Sequence, residues 1–323
     1  SFPQGIRNCY NISFTQGTKY LIRGTFFYGN YDGQSKLPQF DIHLGVNMWD
    51  TVNITNVTIP VIKELIHVPS QTNLQVCLVN TGLGMPFISA IELRPLSNKT
   101  YVTNFGSLAL SARLDVGLQN IIQFNHHLTH GWPFNGDVYD RVWTPFNYNS
   151  STTLSTSLLI DSQSNNYYQP PSIVMSTAST PINVSAPLEL NWNSQNATSS
   201  QYYVYMHFAE VVNLKLISPD HSTLHSTLPP ILNALEIYSI RDLSKPGTNQ
   251  QDVDAITKIK LAYGIQRNWE GDPCLPQAYS WAGLNCSYES INPPRITSLD
   301  MSNNNLTGSV PDFLSQLQNL RVL

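Results

Sequence analysis

The sequence predicts a mainly β protein: two tandem β-sandwich domains, followed by a disulfide cap and the start of a leucine-rich-repeat solenoid. Three observations carry that prediction. Short apolar and aromatic runs are separated by Gly, Pro and Asn without helical periodicity, the pattern of an antiparallel sandwich. A weak internal repeat follows, in which Pro86-Phe-Ile-Ser-Ala-Ile-Glu-Leu93 matches Pro230-Ile-Leu-Asn-Ala-Leu-Glu-Ile237 at Pro, Ala and Glu, and Tyr20 to Phe27 resembles Tyr202 to Ala209. Finally, Ile296, Leu299, Met301, Asn304, Leu306, Gly308, Val310, Pro311, Leu314 and Leu317 fall on the leucine-rich-repeat spacing, which Leu320 and Leu323 restart.

The first sandwich occupies residues 1–100. Tyr20–Tyr28 is rich in aromatic and β-branched residues and runs into the turn chemistry of Gly29-Asn30-Tyr31-Asp32-Gly33. Phe40–Val46 alternates apolar and polar, and further strands are expected at Thr51–Ile59, Glu64–Val68, Asn73–Val79 and Ile88–Leu93. Residues 101–138 read as a connector containing the Gly- and Asn-rich Gln119–Gly136, and the second sandwich spans 139–245. The two repeat matches are offset by 182 and 144 residues, so the second copy is 38 residues shorter between its paired strands. Material is therefore expected to be missing near 214–222. Residues 246–294 hold a linker helix, Asp252–Tyr263, with Val253, Ile256, Ile259 and Leu261 apolar, and then a cap in which Cys274 and Cys286 bracket Trp281. Residues 295–323 are a truncated repeat array. A lone repeat cannot bury its apolar face, and roughly three or more are needed, so neighbours are expected beyond Leu323.

Composition narrows the function classes. Only 12% of the 323 residues are charged and the net charge is −4, so no basic stripe is available for nucleic acid or an anionic membrane. Solubility falls to neutral polar groups or attached sugar: Asn-x-Ser/Thr triplets occur at Asn11, Asn53, Asn56, Asn98, Asn149, Asn183, Asn196, Asn285 and Asn305. Together with four cysteines they favour a secreted or cell-surface glycoprotein. Four cysteines allow three connectivities; proximity favours Cys274 with Cys286 and leaves Cys9 with Cys77. No CxxC occurs, and no apolar run reaches the ~18–20 residues of a membrane helix. Ser1 starts abruptly, consistent with processing or a missing beginning.

Catalytic chemistry is not signalled. The chain has no Gly-rich phosphate loop, HExxH, GxSxG elbow or kinase signature set, and no cofactor or metal is expected. His126, His127 and His130 are close enough to share an ion, but with no carboxylate or cysteine beside them they read as neutral loop histidines. Carboxylates such as Glu64, Glu92 and Asp161 occur singly, while Glu92 and Glu236 sit at equivalent repeat positions within apolar strands. That equivalence points to buried carboxylates satisfied by backbone N–H groups rather than to catalysis.

One family resemblance is specific. Arg7-Asn-Cys-Tyr10, Phe26-Phe-Tyr-Gly-Asn-Tyr-Asp32, Cys77-Leu-Val-Asn-Thr-Gly82, Pro86 to Pro95, Asp137-Val-Tyr-Asp-Arg-Val-Trp143, His207-Phe-Ala-Glu210, Leu228 to Ile237 and Trp269-Glu-Gly-Asp-Pro-Cys274 resemble, in order, plant malectin-like leucine-rich-repeat receptor kinases. The Gly271-Asp-Pro-Cys274 motif is also similar to that of symbiosis receptor-like kinases. The resemblance implies two malectin-like sandwiches and a short repeat array on the outer side of the plasma membrane, with a single membrane span and a serine/threonine kinase outside this chain. It also implies an apoplastic ligand, either a cell-wall glycan or a peptide or protein, and a co-receptor kinase. Two departures stand out: the family opens with strands that precede Ser1, and its second domain has residues missing here near Leu214.

Animal malectin, a distant relative, holds a disaccharide with aromatic rings and an acidic residue, because ring faces stack on C–H groups while hydroxyls need acceptors. Tyr28, Tyr31 and Asp32 are the best positional match. The plainer reading is that Tyr28 and Tyr31 pack beneath a turn that Asn30 and Asp32 cap. Three functions follow: a ligand-perceiving or co-receptor ectodomain transmitting an immunity, symbiosis or cell-wall signal; a cell-wall carbohydrate-binding module; or a secreted glycosidase, whose paired carboxylates only folding would bring together.

Overall fold

The structure is a computed structural model that describes residues 2, 4–104, 106–118, 136–148, 150–160, 166–183, 185–189, 201–211, 229–289, 292–304 and 306–323. His126, His127, His130, Asn149, Asp161, Asn196, Asn305 and all of 214–222 lie outside them.

β-rich sequence becomes mainly β structure. In chain order the strands are β1 (Arg7–Ser13), β2 (Tyr20–Phe26), β3 (Gln39–Leu44), β4 (Asn47–Asn53), β5 (Val61–His67), β6 (Asn73–Leu83), β7 (Ala90–Pro95), β8 (Ser107–Val116), β9 (Thr144–Phe146), β10 (Ser151–Ser155), β11 (Thr177–Pro181), β12 (Tyr202–His207), β13 (Ala234–Arg241), β14 (Leu284–Ser287) and β15 (Arg295–Leu299). Among the described residues helix is confined to the single turn α1 (Ser172–Met175), the thirteen-residue α2 (Gln250–Ala262) and short 3₁₀ turns.

Strands β1-β6-β3-β4 form one sheet, and β12-β13-β8-β5-β2-β7 form a second, with β9 added beside β8. Period-2 alternation sets the contact between them. Phe40 and Ile42 of β3, Val76 and Leu78 of β6, and Trp49 and Val52 of β4 face Ile22 and Phe26 of β2 and Leu65 of β5, closing a core completed by Phe87. Each such side chain contributes roughly 1.5–3 kcal/mol by leaving water. The disulfide Cys9–Cys77 ties edge strand β1 to β6 at directly paired residues.

The larger sheet runs without a break from the first half of the chain to the second. Its joint is narrow: β5 meets β8 through Leu65↔Ala109 and Ile66↔Leu108 alone. On the far side Val116, Leu232, Leu235 and Ile237 form one cluster, and Trp143, Val174, Met175 and Ala234 another. The internal repeat is visible as register, since Thr25 pairs with Ala90 as His207 pairs with Ala234, the same offsets read in the sequence.

Two expectations differ from what is observed. Residues 107–116, placed in the connector, are the ten-residue β8 at the centre of the sheet. The pattern is obscured because a register shift opposite Ile237 and Tyr238 turns Arg113 and Asp115 inward, so charged residues occupy buried positions. The strand expected at Thr51–Ile59 is β4, ending at Asn53, because the Asn56 carboxamide accepts from Thr58 N and Oγ1 and folds the chain into a turn. Of the residues on the repeat spacing, Leu306, Val310 and Leu323 are exposed, while Ile296, Leu299 and Leu317 are buried.

At the C-terminal end, Ala255, Ile256 and Ile259 of α2 pack with Trp269, Trp281, Leu284, Ile296 and Leu299. Trp269 and Trp281 stack at 5.0 Å, and the disulfide Cys274–Cys286 closes over them. Asp252, fully buried at the start of α2, accepts from Arg295 Nε and Nη2 and from Ile296 N, fixing the helix to β15. Ser298 and Val322, one sequence repeat apart, form a parallel bridge.

Candidate functional site

The turn after β2 holds the three residues that the sequence singles out. Tyr28 is buried against Phe87, and its hydroxyl donates to Asn30 Oδ1 at 3.1 Å and Asp32 Oδ1 at 2.9 Å. Those same acceptors take Ser35 N at 2.7 Å and Gln34 N at 3.1 Å, so Asn30 and Asp32 cap the turn, with Asn30 in the left-handed region at φ 53°. Burial, then Asp32, raises the Tyr28 hydroxyl above the usual tyrosine range. Tyr31 differs in being 68% exposed, its ring lying over Gly29, where an added Cβ would meet ring atoms at 2.6 Å. Packing beneath the turn therefore describes Tyr28 and not Tyr31, and of the three only Tyr31 offers an open ring face.

A second constellation went unread in the sequence. Side chains from adjacent strands of the large sheet form an alternating charge ladder: Glu92 on β7, Arg23 on β2, Glu64 on β5, Arg113 on β8, Glu236 on β13 and His207 on β12. Arg23 is 2.8 Å from Glu64 and 3.2 Å from Glu92, and Arg113 is 2.7 Å from Glu64 and 2.8 Å from Glu236. Tyr101 and Tyr238 both donate to Glu236, His207 lies 3.1 Å away, and Arg141 lies 3.6 Å away. Burial alone would raise the Glu236 carboxyl, but Arg113, the His207 hydrogen bond and Arg141 hold it well below the usual carboxylate range. The Asp137–Trp143 segment straps the ladder. Arg23 donates to the Asp140 carbonyl, Arg94 Nε to the Asp140 carboxylate at 2.7 Å, and Arg141 Nε and Trp143 Nε1 to Asp137 at 2.9 Å.

The sequence-based account of Glu92 and Glu236 needs correction here. Their partners are arginine, tyrosine and histidine side chains rather than backbone N–H groups, and Glu92 is about a third exposed while Glu236 is sealed. The signal available was Arg23 and Arg113, charged residues at inward positions of strand patterns. Glu64 and Glu236 share Arg113 with no side-chain exposure, whereas Glu92 and Asp140, which share Arg94, are partly exposed. Among the described residues no group of three His, Cys, Asp or Glu side chains is placed to hold a metal ion, and no helix is long and apolar enough to cross a membrane.

A third feature clamps the sandwich to the cap. Arg7 on β1 donates Nε to Glu270 O at 2.9 Å, Nη1 to Leu275 O at 2.6 Å and Nη2 to Asp272 O at 2.6 Å. Asp272 folds the Gly271–Cys274 loop by accepting from Thr248 N and Oγ1, Cys274 N and Leu275 N. Gly271 stands at φ +72°, where a Cβ would meet the Arg7 guanidinium at 2.6 Å. The sequon asparagines Asn11, Asn53, Asn56, Asn98, Asn183 and Asn285 are all exposed.

Exposed loops thus border a sheet in which Glu64 and Glu236 are sealed by arginine partners. Residues 1–219 match the malectin-like domain, and the chain belongs to that family. A probable leucine-rich-repeat receptor-like protein kinase of Arabidopsis thaliana is 42% identical over 371 aligned residues, covering all of this chain and 41% of the relative. The Arabidopsis LRR receptor-like serine/threonine-protein kinase IOS1 is 41% identical over 366, covering all of this chain and 40% of the relative. The chain thus spans about 40% of the length of these curated relatives, and the alignments exceed its 323 residues, so the relatives have stretches that it lacks. The crystal structure of the plant receptor-like kinase ANX2 superposes on 73% of this chain and 82% of that one, at a TM-score of 0.50 and 16% identity, a likeness of fold.

Proposed function

We propose that this chain is the extracellular, ligand-receiving region of a plant cell-surface receptor-like serine/threonine kinase, with two sandwich units, a disulfide cap and a repeat array that relay an apoplastic signal to the kinase. The observation that carries this reading is co-linearity: relatives named as receptor kinases align with the whole chain at about 42% identity, from the first sandwich through the repeat. The exposed asparagines fit N-glycosylation on that side of the membrane. A co-receptor and a peptide, protein or glycan ligand complete the proposed assembly. External protease applied to intact plant cells should remove this region from the full-length protein, and protection from the protease would sink the assignment.

A sugar ligand has one observation in its favour, the open Tyr31 ring beside the Asp32 carboxylate. In that reading Tyr31 supplies the stacking face, Asp32 an acceptor and Tyr28 the support beneath them. On a glycan array, binding lost in Tyr31→Ala with an unchanged melting temperature supports a sugar; binding retained in the variant rejects this turn as the site.

A further inference from the structure

One groove lies apart from the Tyr31 turn. It runs where the outer face of the four-stranded sheet meets the linker, α2 and the Gly271–Pro273 loop, and encloses about 550 Å³. Asn11 and Gln75 form part of its floor as directly paired residues of β1 and β6, which places both side chains on one face. Gln250 and Thr257 of α2 stand opposite.

Leu44, Val46, Leu243 and Val253 line it alongside amide and hydroxyl side chains, and its polar groups are mostly neutral. Among the described residues the only acidic group lining it, Asp272, has both carboxylate oxygens engaged by Thr248, Cys274 and Leu275, and the only Lys or Arg is Lys245. His67, at the rim, is hydrogen-bonded to Ser107 and kept neutral by burial. Amides and hydroxyls that both donate and accept match the alternating needs of sugar hydroxyls and acetamido groups, and no cationic cluster is present for a phosphate or an acidic peptide. Asn11 is itself exposed and heads the acceptor triplet Asn11-Ile-Ser13. A sugar joined to its Nδ2 therefore begins inside the groove, and the tether supplies an effective concentration of order millimolar without any intrinsic affinity.

We propose that this groove seats the chain's own N-glycan, attached at Asn11, whose inner N-acetylglucosamine residues bridge the sandwich to the linker and α2. The inference rests on the extracellular reading. Attachment forms the bond from Asn11 Nδ2 to C1 of the first sugar as the lipid diphosphate leaves and Nδ2 loses one proton, as at any Asn-x-Ser/Thr acceptor. Seated there, the glycan is a covalently anchored wedge across the junction that the Arg7 clamp also spans.

The test uses the glycoprotein as secreted by plant or insect cells. Glycopeptide mass spectrometry after native endoglycosidase digestion should show the Asn11 glycan released at least about tenfold more slowly than the Asn56 glycan, the factor that about 1.4 kcal/mol of seating gives. Gln250→Ala combined with Thr257→Val, both exposed helix positions, should bring the Asn11 release rate up to that of Asn56 while leaving the sequon occupied. Equal release rates in the parent protein, or a bare Asn11 beside occupied sequons elsewhere, overturn this inference alone. A chain bare at every sequon overturns both it and the extracellular assignment.

Discussion

Asp115 is 1% exposed and its carboxylate accepts from the Thr177 hydroxyl at 3.1 Å. Burial pushes its pKa from 3.8 to about 7, against a small opposing effect of Thr177. A folded-state pKa above the unfolded value gives stability that is complete below about pH 4 and is lost as pH rises through about 7. His67 works in the opposite sense: burial lowers its pKa from 6.5 to about 4, so its contribution is complete above pH 6.5 and is lost as pH falls through about 4. Melting temperature measured from pH 4 to pH 8 should therefore show the decline on the neutral side disappear in Asp115→Asn, which keeps an acceptor for Thr177, while the acid-side decline remains. Since each pH unit is worth about 1.4 kcal/mol per group, the difference between variants should reach a few kcal/mol. An unaltered profile would show that water reaches Asp115.

At the scale of elements, the contact between β1 and the Gly271–Cys274 loop decides how the sandwich sits on the cap. Arg7 satisfies three carbonyls with one guanidinium, and although burial lowers its pKa to about 10, it stays charged at physiological pH. Arg7→Met keeps the stem but orphans those carbonyls, at roughly 1–3 kcal/mol. Hydrogen exchange should then rise at Thr248, Cys274 and Leu275, whose amides Asp272 holds, with the β3 and β6 amides unaffected. Unchanged exchange in the loop would mean that the disulfide and the tryptophan stack fix it without Arg7. The same scale explains what was legible in the sequence. The β2, β3, β5, β6 and β7 strands and α2 announce themselves through apolar alternation or helical spacing, a local signal. β8 does not, because its inward Arg113 pairs with Glu64 and Glu236 and its inward Asp115 accepts from Thr177, all supplied by distant parts of the chain. Likewise the turn at Tyr28–Asp32 is readable as turn chemistry, whereas which tyrosine points outward depends on Phe87, contributed by another part of the chain. Ladder and groove are juxtapositions of distant segments, and no window of sequence contains them.

Across the whole molecule, the question is whether the two halves behave as one body. Backbone pairing gives little reason to expect it, since only Leu65↔Ala109 and Ile66↔Leu108 join β5 to β8. Side chains give more. Glu64 sits on β5 at that seam with Arg23 on one side and Arg113 on the other, both essentially sealed from water, and the Asp137–Trp143 strap reaches back to Arg23 and Arg94 of the first half. Removing one member of such a buried set leaves uncompensated charge, at a cost of about 3–5 kcal/mol, more than the seam's own two backbone pairs can supply. Two tryptophans report on the halves separately, Trp49 in the core beneath the four-stranded sheet and Trp143 at the end of the strap. In the parent protein, denaturant unfolding followed by single-tryptophan variants should place both on one transition. Glu64→Gln should move that transition to lower denaturant and split it, with Trp143 lost first, because Arg113 in the second half loses its charged partner across the seam. A shifted but still coincident transition would assign the coupling to the shared sheet backbone, and an unshifted one would show that Arg23 and Arg113 find other partners when Glu64 is neutralised.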